Sequence, residues 1–470
     1  MKNVVIVGGG ISGLSTAYFL KELARENNAG PLNITIVDKK DAIGGNIITE
    51  LTDGFLIEGG PDCFLSEKPW AMALCKRLGL EDRLLATKSP RGKTYVLSNG
   101  KLHLLPEGVI LMVPTKMFPL LFSSLMTLSG KIRMGLELFV PKKKTPGDET
   151  LGEFVRRRLG KEALDKIAGP LVAGVHAGDP DTMSIKSSFP KFVEMEQNYG
   201  SLIKGMLARM KLMKAKPRKG GKPVTMFMTV KGGLGEVVKT LLSKIKDVNI
   251  LSSTVVSKME NNDDGYELTL DNGNVLKADA VVIATPAYAT SEIVKTLDGK
   301  LTEKLGTIPY VSTATISIGF KMKDIKHPMD GFGFVVPLSE GRKIMAASWV
   351  SRKWAGRAPD DCVLIRCFVG GAFNQDLVEL GDEELKQIVL DELREIMGIE
   401  ATPVICRIFR WRRSMPQYTV GHEERVTEIE ELTNAHKGLY ITGSAFRGIG
   451  ISDNVREAEE TAKKVLGVLA

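Results

Sequence analysis

The residues best suited to chemistry in this chain are glycines and one carboxylate, not a nucleophile. Gly8, Gly10 and Gly13 fit G-x-G-x-x-G, with Ile11 and Ser12 between them, and Asp38 ends the next apolar run. At a dinucleotide each has a task. Gly8 permits a tight turn, Gly10 lets the backbone approach a pyrophosphate, and Gly13 lets a helix pack closely on a strand. The free N–H groups at that helix start face the anion. Asp38 would accept hydrogen bonds from the adenosine ribose, and its charge disfavours a 2′-phosphate there. A second pair, Gly44-Gly45, sits in Asp41-Ala42-Ile43-Gly44-Gly45-Asn46. It can set backbone N–H groups beside a diphosphate and ribityl chain, which favours FAD over NAD.

These residues need elements to hold them. Val4–Val7 reads as a buried parallel strand, 14–27 as a helix with Leu14, Ala17, Tyr18, Leu20 and Leu23 on one side, and 34–37 as a second strand. Strand, glycines, helix, strand and acid fall in order, which a lone glycine motif does not do. The run Val4–Val7 is too short for the apolar core of a signal peptide. Glu58-Gly59-Gly60-Pro61 closes a predicted hairpin, and Gly60 and Pro61 bring backbone to a flavin ring. Lys231-Gly232-Gly233-Leu234-Gly235 is no second fingerprint, because Val238 stands where the third glycine is needed. A buried strand at 280–284 ends in Thr285-Pro286, placing Ala284, Thr285 and Pro286 at the same edge. Near the C-terminus, Gly443 and the cluster Gly448-Ile449-Gly450-Ile451-Ser452-Asp453 precede a helix over 454–469. Its positive end would stabilise an anionic reduced flavin. With no intact NAD(P) site visible after residue 40, electrons must come directly from a substrate and leave to oxygen or a carrier.

The 470 residues carry 64 Lys+Arg and 56 Asp+Glu, a net charge of +8, with 43% apolar residues. That excludes a disordered chain and a multi-span membrane protein. Five widely spaced cysteines without a CxxC argue against a disulfide framework or a zinc site and for a reducing cytoplasm. The excess charge is local: 199–230 holds Lys204, Arg209, Lys211, Lys214, Lys216, Arg218, Lys219 and Lys222 and no acid. This is a solvated face, an anionic membrane contact or a steering surface for an acidic ligand. No nucleic-acid motif accompanies it. The predicted layout is α/β. A discontinuous Rossmann-type FAD-binding domain spans 1–68, 225–295 and 405–470. A substrate domain built on a mixed, largely antiparallel sheet spans 69–81, 187–224 and 296–404. A helical insert covers 82–186.

Three stretches add specificity: Gly174-Val175-His176-Ala177-Gly178-Asp179, Gly331-Phe332-Gly333-Phe334 and Met415-Pro416-Gln417-Tyr418-Thr419-Val420-Gly421-His422. With the glycine clusters they resemble the flavin amine oxidase superfamily. Within it they resemble the oxygen-dependent protoporphyrinogen oxidases, and most of all the shorter bacterial form acting on coproporphyrinogen III. The likeness runs the full length. It has departures: Asn46 stands where relatives often carry Arg or Lys, leaving Lys39 or Lys40 to supply a phosphate contact, and Asp38 replaces a common Glu.

The resemblance implies non-covalent FAD, a six-electron oxidation of a porphyrinogen by O₂ with release of H₂O₂, and hand-over of the porphyrin to a ferrochelatase. It adds Val256 and Trp411 to the cofactor set. Catalysis would be mostly positioning, and no general base is named. His176 and His422 read as structural. For a flat macrocycle with propionates, Phe332 and Phe334 are candidate walls, Gly174 and Val175 a close edge, and Lys68 a propionate anchor. Each also reads as strand core, helix packing or surface charge. An amine oxidase or carotenoid desaturase on the same scaffold, or a non-catalytic escort protein, are the competing classes. No Cys follows Cys406, which argues against covalent flavin. The apolar runs 109–113 and 118–128 are either peripheral membrane contacts or helix core, and no metal is called for.

Overall fold

The computed structural model describes residues 1–89, 92–110, 112–145, 147–215, 223–262 and 265–469. Two compact units divide the chain. The first comprises Met1–Ala86, Val224–Pro309 and Glu424–Ala470, the second Thr87–Pro223 and Tyr310–Glu423.

The first unit is built on a five-stranded parallel sheet. Its spatial order is Asn249–Leu251, Leu32–Val37, Lys2–Val7, Ala280–Ile283, Leu439–Ile441. Parallel sheets are covered on both faces, so their strands are continuous apolar runs. Accordingly Val4 and Ile6 pack among Leu14, Ala17, Val455 and Ala462 of helices Ile11–Glu26 and Ile451–Leu469, while Val5, Val7, Val281 and Ile283 are buried on the other face. The chain leaves Lys2–Val7 toward Leu32–Val37, whereas Ala280–Ile283 lies on its other side. That is a topological switch point, where α/β sheets bind ligands at their carboxyl edge. A three-stranded meander, Val256–Asn262, Gly265–Leu270 and Val275–Ala278, precedes Ala280–Ile283, turning through Asp271-Asn272-Gly273.

The second unit carries a seven-stranded mixed sheet ordered Ile405–Pro416, Tyr310–Lys321, Cys362–Gly370, Ile344–Trp349, Gly333–Val335, Thr94–Ser98, Lys101–Leu104. Every pairing is antiparallel except Gly333–Val335 with Thr94–Ser98. A separate core gathers helices between Met117 and Ala215 around Phe154, Ile167, Phe192 and Met206.

The predicted boundaries need correction. Residues 82–186 are not wholly helical: Leu84–Ala86 pairs with Phe227–Val230 in the first unit, and Thr94–Ser98 and Lys101–Leu104 join the large sheet. The helices instead run on to Ala215. Strand Ile405–Pro416 belongs to the second unit because its partner is Tyr310–Lys321. Helix Trp70–Arg77 joins the first unit, burying Ala71 and Leu74 against Tyr18 and Phe19. Residues 296–309 also belong there.

Candidate cofactor site

At the carboxyl edge of the parallel sheet, successive strand ends are tied by backbone hydrogen bonds. Gly8 N–H donates to Val37 O, Ala284 N–H to Val7 O, Thr442 N–H to Ile283 O and Asp38 N–H to Leu251 O, all at 2.7–2.9 Å. This brings Gly8, Asp38, Ala284 and Gly443 to one edge. The approach there is glycine-limited. A Cβ on Gly13 would lie 1.9 Å from Gly8 O, and Gly8, at φ +112°, would place one 2.8 Å from Ala284 O. Helix Ile11–Glu26 has Gly10 at its start and no side-chain cap, so its first N–H groups remain available to an anion.

The Gly pair docks on this loop. Gly44 N–H donates to Gly9 O at 3.0 Å, and a Cβ on Gly45, at φ +66°, would lie 2.9 Å from the Gly10 Cα. Asp38 holds the arrangement: Oδ2 accepts Gly9 N–H at 2.6 Å and Oδ1 accepts Lys40 N–H at 2.7 Å. Each carboxylate oxygen keeps a further lone pair for a ribose hydroxyl. Lys40 Nζ donates to Gly45 O at 3.0 Å, and Lys39, Lys40 and Asn46 are all exposed. Of the two cations the sequence offers there, Lys39 and Lys40, it is Lys40 that reaches the Gly pair. Thr254 N–H donates to Asp38 O, and Val256, two residues past Thr254, is buried at the start of its strand. Gly60 and Pro61 follow strand Phe55–Glu58, half-buried. Thr285 Oγ1 meets Thr290 Oγ1 at 2.9 Å across the turn opened by Pro286. Trp411 lies in the second unit, on Ile405–Pro416.

The second glycine cluster closes on the first. Asn454 Oδ1 accepts Ser12 Oγ–H at 2.8 Å, and Asn454 Nδ2 donates to Gly450 O at 2.8 Å. One side chain therefore links the start of helix Ile11–Glu26 to that of Ile451–Leu469. Sequence reasoning stopped at the glycines. The signal for Asn454 was an amide in the first turn of a helix immediately after Gly450-Ile451. By contrast, the loop Lys231–Gly235 is closed internally. Glu58 Oε1 accepts Leu234 N–H at 2.7 Å, and Thr49 Oγ1 accepts Gly235 N–H at 2.8 Å. That helix start already holds a carboxylate, in accord with its lacking a third glycine.

The substrate candidates fall differently. Lys68, expected as a propionate anchor, has Nζ 2.6 Å from Asp453 Oδ2 within the first unit. Phe334 is a correction: at 2% exposure it packs near Trp349 in the sheet core and offers no wall. Phe332 is half-buried, its ring against Gly92. Gly174 packs on Val335 and Ala346, while Val175 is 64% exposed. Gln417 Nε2 donates to His176 O at 3.2 Å, joining the stretches 174–179 and 415–422, and Ser184 N–H donates to Tyr418 O at 2.8 Å. His422 is buried and stacks on Tyr418 at 3.9 Å, and His176 contacts Phe189 edge-on. One histidine–acid pair hidden in the sequence emerges: His436 Nε2 lies 2.9 Å from Asp298 Oδ2. Asp298 also caps helix Gly299–Gly306, so the pair fastens an element.

Known proteins resemble this chain from end to end. The profile of the family described as flavin containing amine oxidoreductase matches residues 11–466. A coproporphyrinogen III oxidase of Bacillus subtilis is 36% identical over 100% of this chain and 98% of its own length. The Staphylococcus aureus protein of the same name is 32% identical over all of both chains. A crystal structure of a putative protoporphyrinogen oxidase from Exiguobacterium superposes with a TM-score of 0.87 at 32% identity, covering 99% and 98% of the two chains. Putrescine oxidase shares the fold alone, with a TM-score of 0.69 at 16% identity.

Proposed function

This chain belongs to the family of flavin-containing amine oxidoreductases, and on that premise we propose that it oxidises a porphyrinogen to the porphyrin in haem biosynthesis. The observation that carries this reading is the end-to-end similarity to coproporphyrinogen III oxidases. Coproporphyrinogen III is accordingly the first substrate to test, and protoporphyrinogen IX the second. The overall reaction balances as porphyrinogen plus three O₂ giving porphyrin plus three H₂O₂.

The residues fit FAD. The glycine-limited approach at Gly8, Gly13 and Gly45 leaves backbone N–H groups where a diphosphate needs them, and Asp38 keeps acceptor capacity for the ribose. When bound, FAD supplies a two-electron acceptor that O₂ can regenerate. The protein's part is positioning. Ile11, Ser12 and Gly13 present N–H groups to the diphosphate, Gly44 and Gly45 hold the loop beside it, and the start of Ile451–Leu469 offers partial positive charge. Glycines and Pro61 give the backbone a close approach to a flat ring system. An oriented carbon–hydrogen bond at the substrate accounts for much of the rate without a strong side-chain base.

The test is an aerobic assay of the purified protein on both porphyrinogens, following porphyrin fluorescence and peroxide. Porphyrin with about three H₂O₂ each supports the reading. No porphyrin from either substrate sinks it, and peroxide formed from amines would favour the amine oxidase alternative.

Among the described residues no helix is long and apolar enough to cross a membrane. We read the helical region as touching a membrane surface from the cytoplasm. Phe118, Phe122, Leu128 and Phe139, on or directly after three successive helical segments, are 68–84% exposed, near Lys116, Lys131 and Lys142–Lys144 in sequence. Apolar anchors with cations close by in sequence suit an anionic bilayer. Co-sedimentation with phosphatidylglycerol vesicles, reduced by F118S/F122S/F139S, is the expected result, and absence of the wild type from the pellet would exclude the contact. The porphyrin product would pass to a ferrochelatase.

A further inference from the structure

The start of helix Ile451–Leu469 carries a carboxylate where the cofactor reading wants positive charge. Asp453 is its third residue and 3% exposed. Its side chain folds back over the glycine turn: a Cβ on Gly448 would lie 2.5 Å from Asp453 Cβ, and one on Gly450 3.2 Å from Asp453 Oδ2. A carboxylate here suits the helix, whose N-terminal end is positive. It also cancels that positive end for any anion bound beside it. The Ser12–Asn454–Gly450 hydrogen bonds fasten this turn to the fingerprint loop, so the carboxylate belongs to the cofactor edge.

Lys68 answers it. Its Nζ lies 2.6 Å from Asp453 Oδ2, with the lysine side chain 40% exposed and the aspartate side chain 4% exposed. The backbone around Lys68 is fixed from the same helix: Ser452 Oγ–H donates to Lys68 O at 3.0 Å, and Ala71 N–H donates to Ser452 Oγ at 3.3 Å. Consecutive residues of one helix therefore set both the main chain and the ammonium of Lys68, from 385 residues away in sequence. A mobile substrate anchor does not need such a mount.

We propose that Lys68 is a charge-compensating residue for the flavin: it neutralises Asp453, so that the start of Ile451–Leu469 presents net positive charge to the reduced, anionic flavin. The inference rests on the flavin reading of the site and not on the identity of the substrate. Removing Lys68 alone leaves a nearly buried, unpaired carboxylate facing an anion. Removing Asp453 alone leaves a surplus cation.

The experiment is a redox titration and FAD-binding measurement on holoenzyme variants, with no porphyrinogen present. Lys68→Met should lower the flavin midpoint potential and weaken FAD binding by about tenfold. Asp453→Asn should raise the potential, and the double variant should return toward wild type. Lys68→Arg should retain wild-type behaviour, which separates charge from loss of fold. A double variant that keeps the full shift of Lys68→Met would overturn the proposal. So would a Lys68→Met protein with unchanged flavin properties and a raised KM, which would make Lys68 a substrate anchor. Wild-type protein purified without flavin absorbance would instead sink the flavin reading itself.

Discussion

Gly13 is where one added methyl group decides whether the site can exist. With a Cβ 1.9 Å from Gly8 O, Gly13→Ala must move the backbone of the fingerprint turn. A cost of about 1–3 kcal/mol is expected, together with loss of flavin absorbance from purified protein. Gly467→Ala is the control: nothing lies within 4 Å of its Cβ position. It should keep the flavin and gain about 0.5–1 kcal/mol in thermal unfolding. The glycines and Asp38 were legible because turn, helix and acid lie within one short stretch whose order is itself the signal. Lys68 and Asp453 were not, since an ion pair spanning 385 residues leaves no local trace and a lysine near a glycine turn reads as a free cation. Phe334 misled for a related reason. An aromatic among glycines suggests a wall, but alternation along Gly333–Val335 turned it into the sheet core.

Elements were read best where periodicity alone defines them, and least well where partners are remote. The strand Thr94–Ser98 is short, and what makes it a strand is Gly333–Val335, far along the chain. Helix Leu202–Ala215 shows another remote dependence. Glu137 accepts Leu202 N–H at 2.8 Å, Ile203 N–H at 3.3 Å and Ser201 Oγ–H at 2.6 Å, and it pairs with fully buried Arg158. Glu137→Ala should cost about 3–5 kcal/mol in urea unfolding, because the buried Arg158 guanidinium loses its main carboxylate and keeps only Glu196, at 3.4 Å. Beside it, Glu196 takes both Arg157 nitrogens at 2.5 and 3.1 Å. Burial alone would raise the Glu196 carboxyl, but its hydrogen bonds and charge pairing with Arg157, and the charge of Arg158, hold it below the ordinary value of 4.5. A depressed folded-state value stabilises the protein above the ordinary value and ceases to do so as pH falls through it. Glu196→Gln should therefore be less stable than wild type at pH 7 and approach it in melting temperature as acid protonates the depressed Glu196 carboxyl, below its ordinary value of 4.5.

Across the whole molecule, the net charge of +8 equals the eight bases between Tyr199 and Val230. Of these, Lys216, Arg218, Lys219 and Lys222 lie outside the described residues. A substrate with several carboxylates would be drawn to such a field before it is bound. Raising ionic strength from about 0.01 to 0.15 M should lower kcat/KM several-fold while leaving kcat unchanged. Neutralising the eight bases should flatten that dependence. The parallel sheet has a consequence for how the protein is made. Lys2–Val7 and Leu32–Val37 leave the ribosome together, but Val4 waits for Ala280, and the outer strand Leu439–Ile441 comes later still. Asn454, which fastens the fingerprint helix, follows Ser12 by 442 residues. An apolar strand edge stays unpaired through most of translation, a hazard for nascent chains. Flavin capture becomes a late event: stalled chains ending before residue 439 should retain no FAD on the ribosome, and released full-length chains should. In cells short of riboflavin, the expected casualty is a finished polypeptide awaiting its cofactor, and its level should follow the vitamin supply rather than the rate of translation.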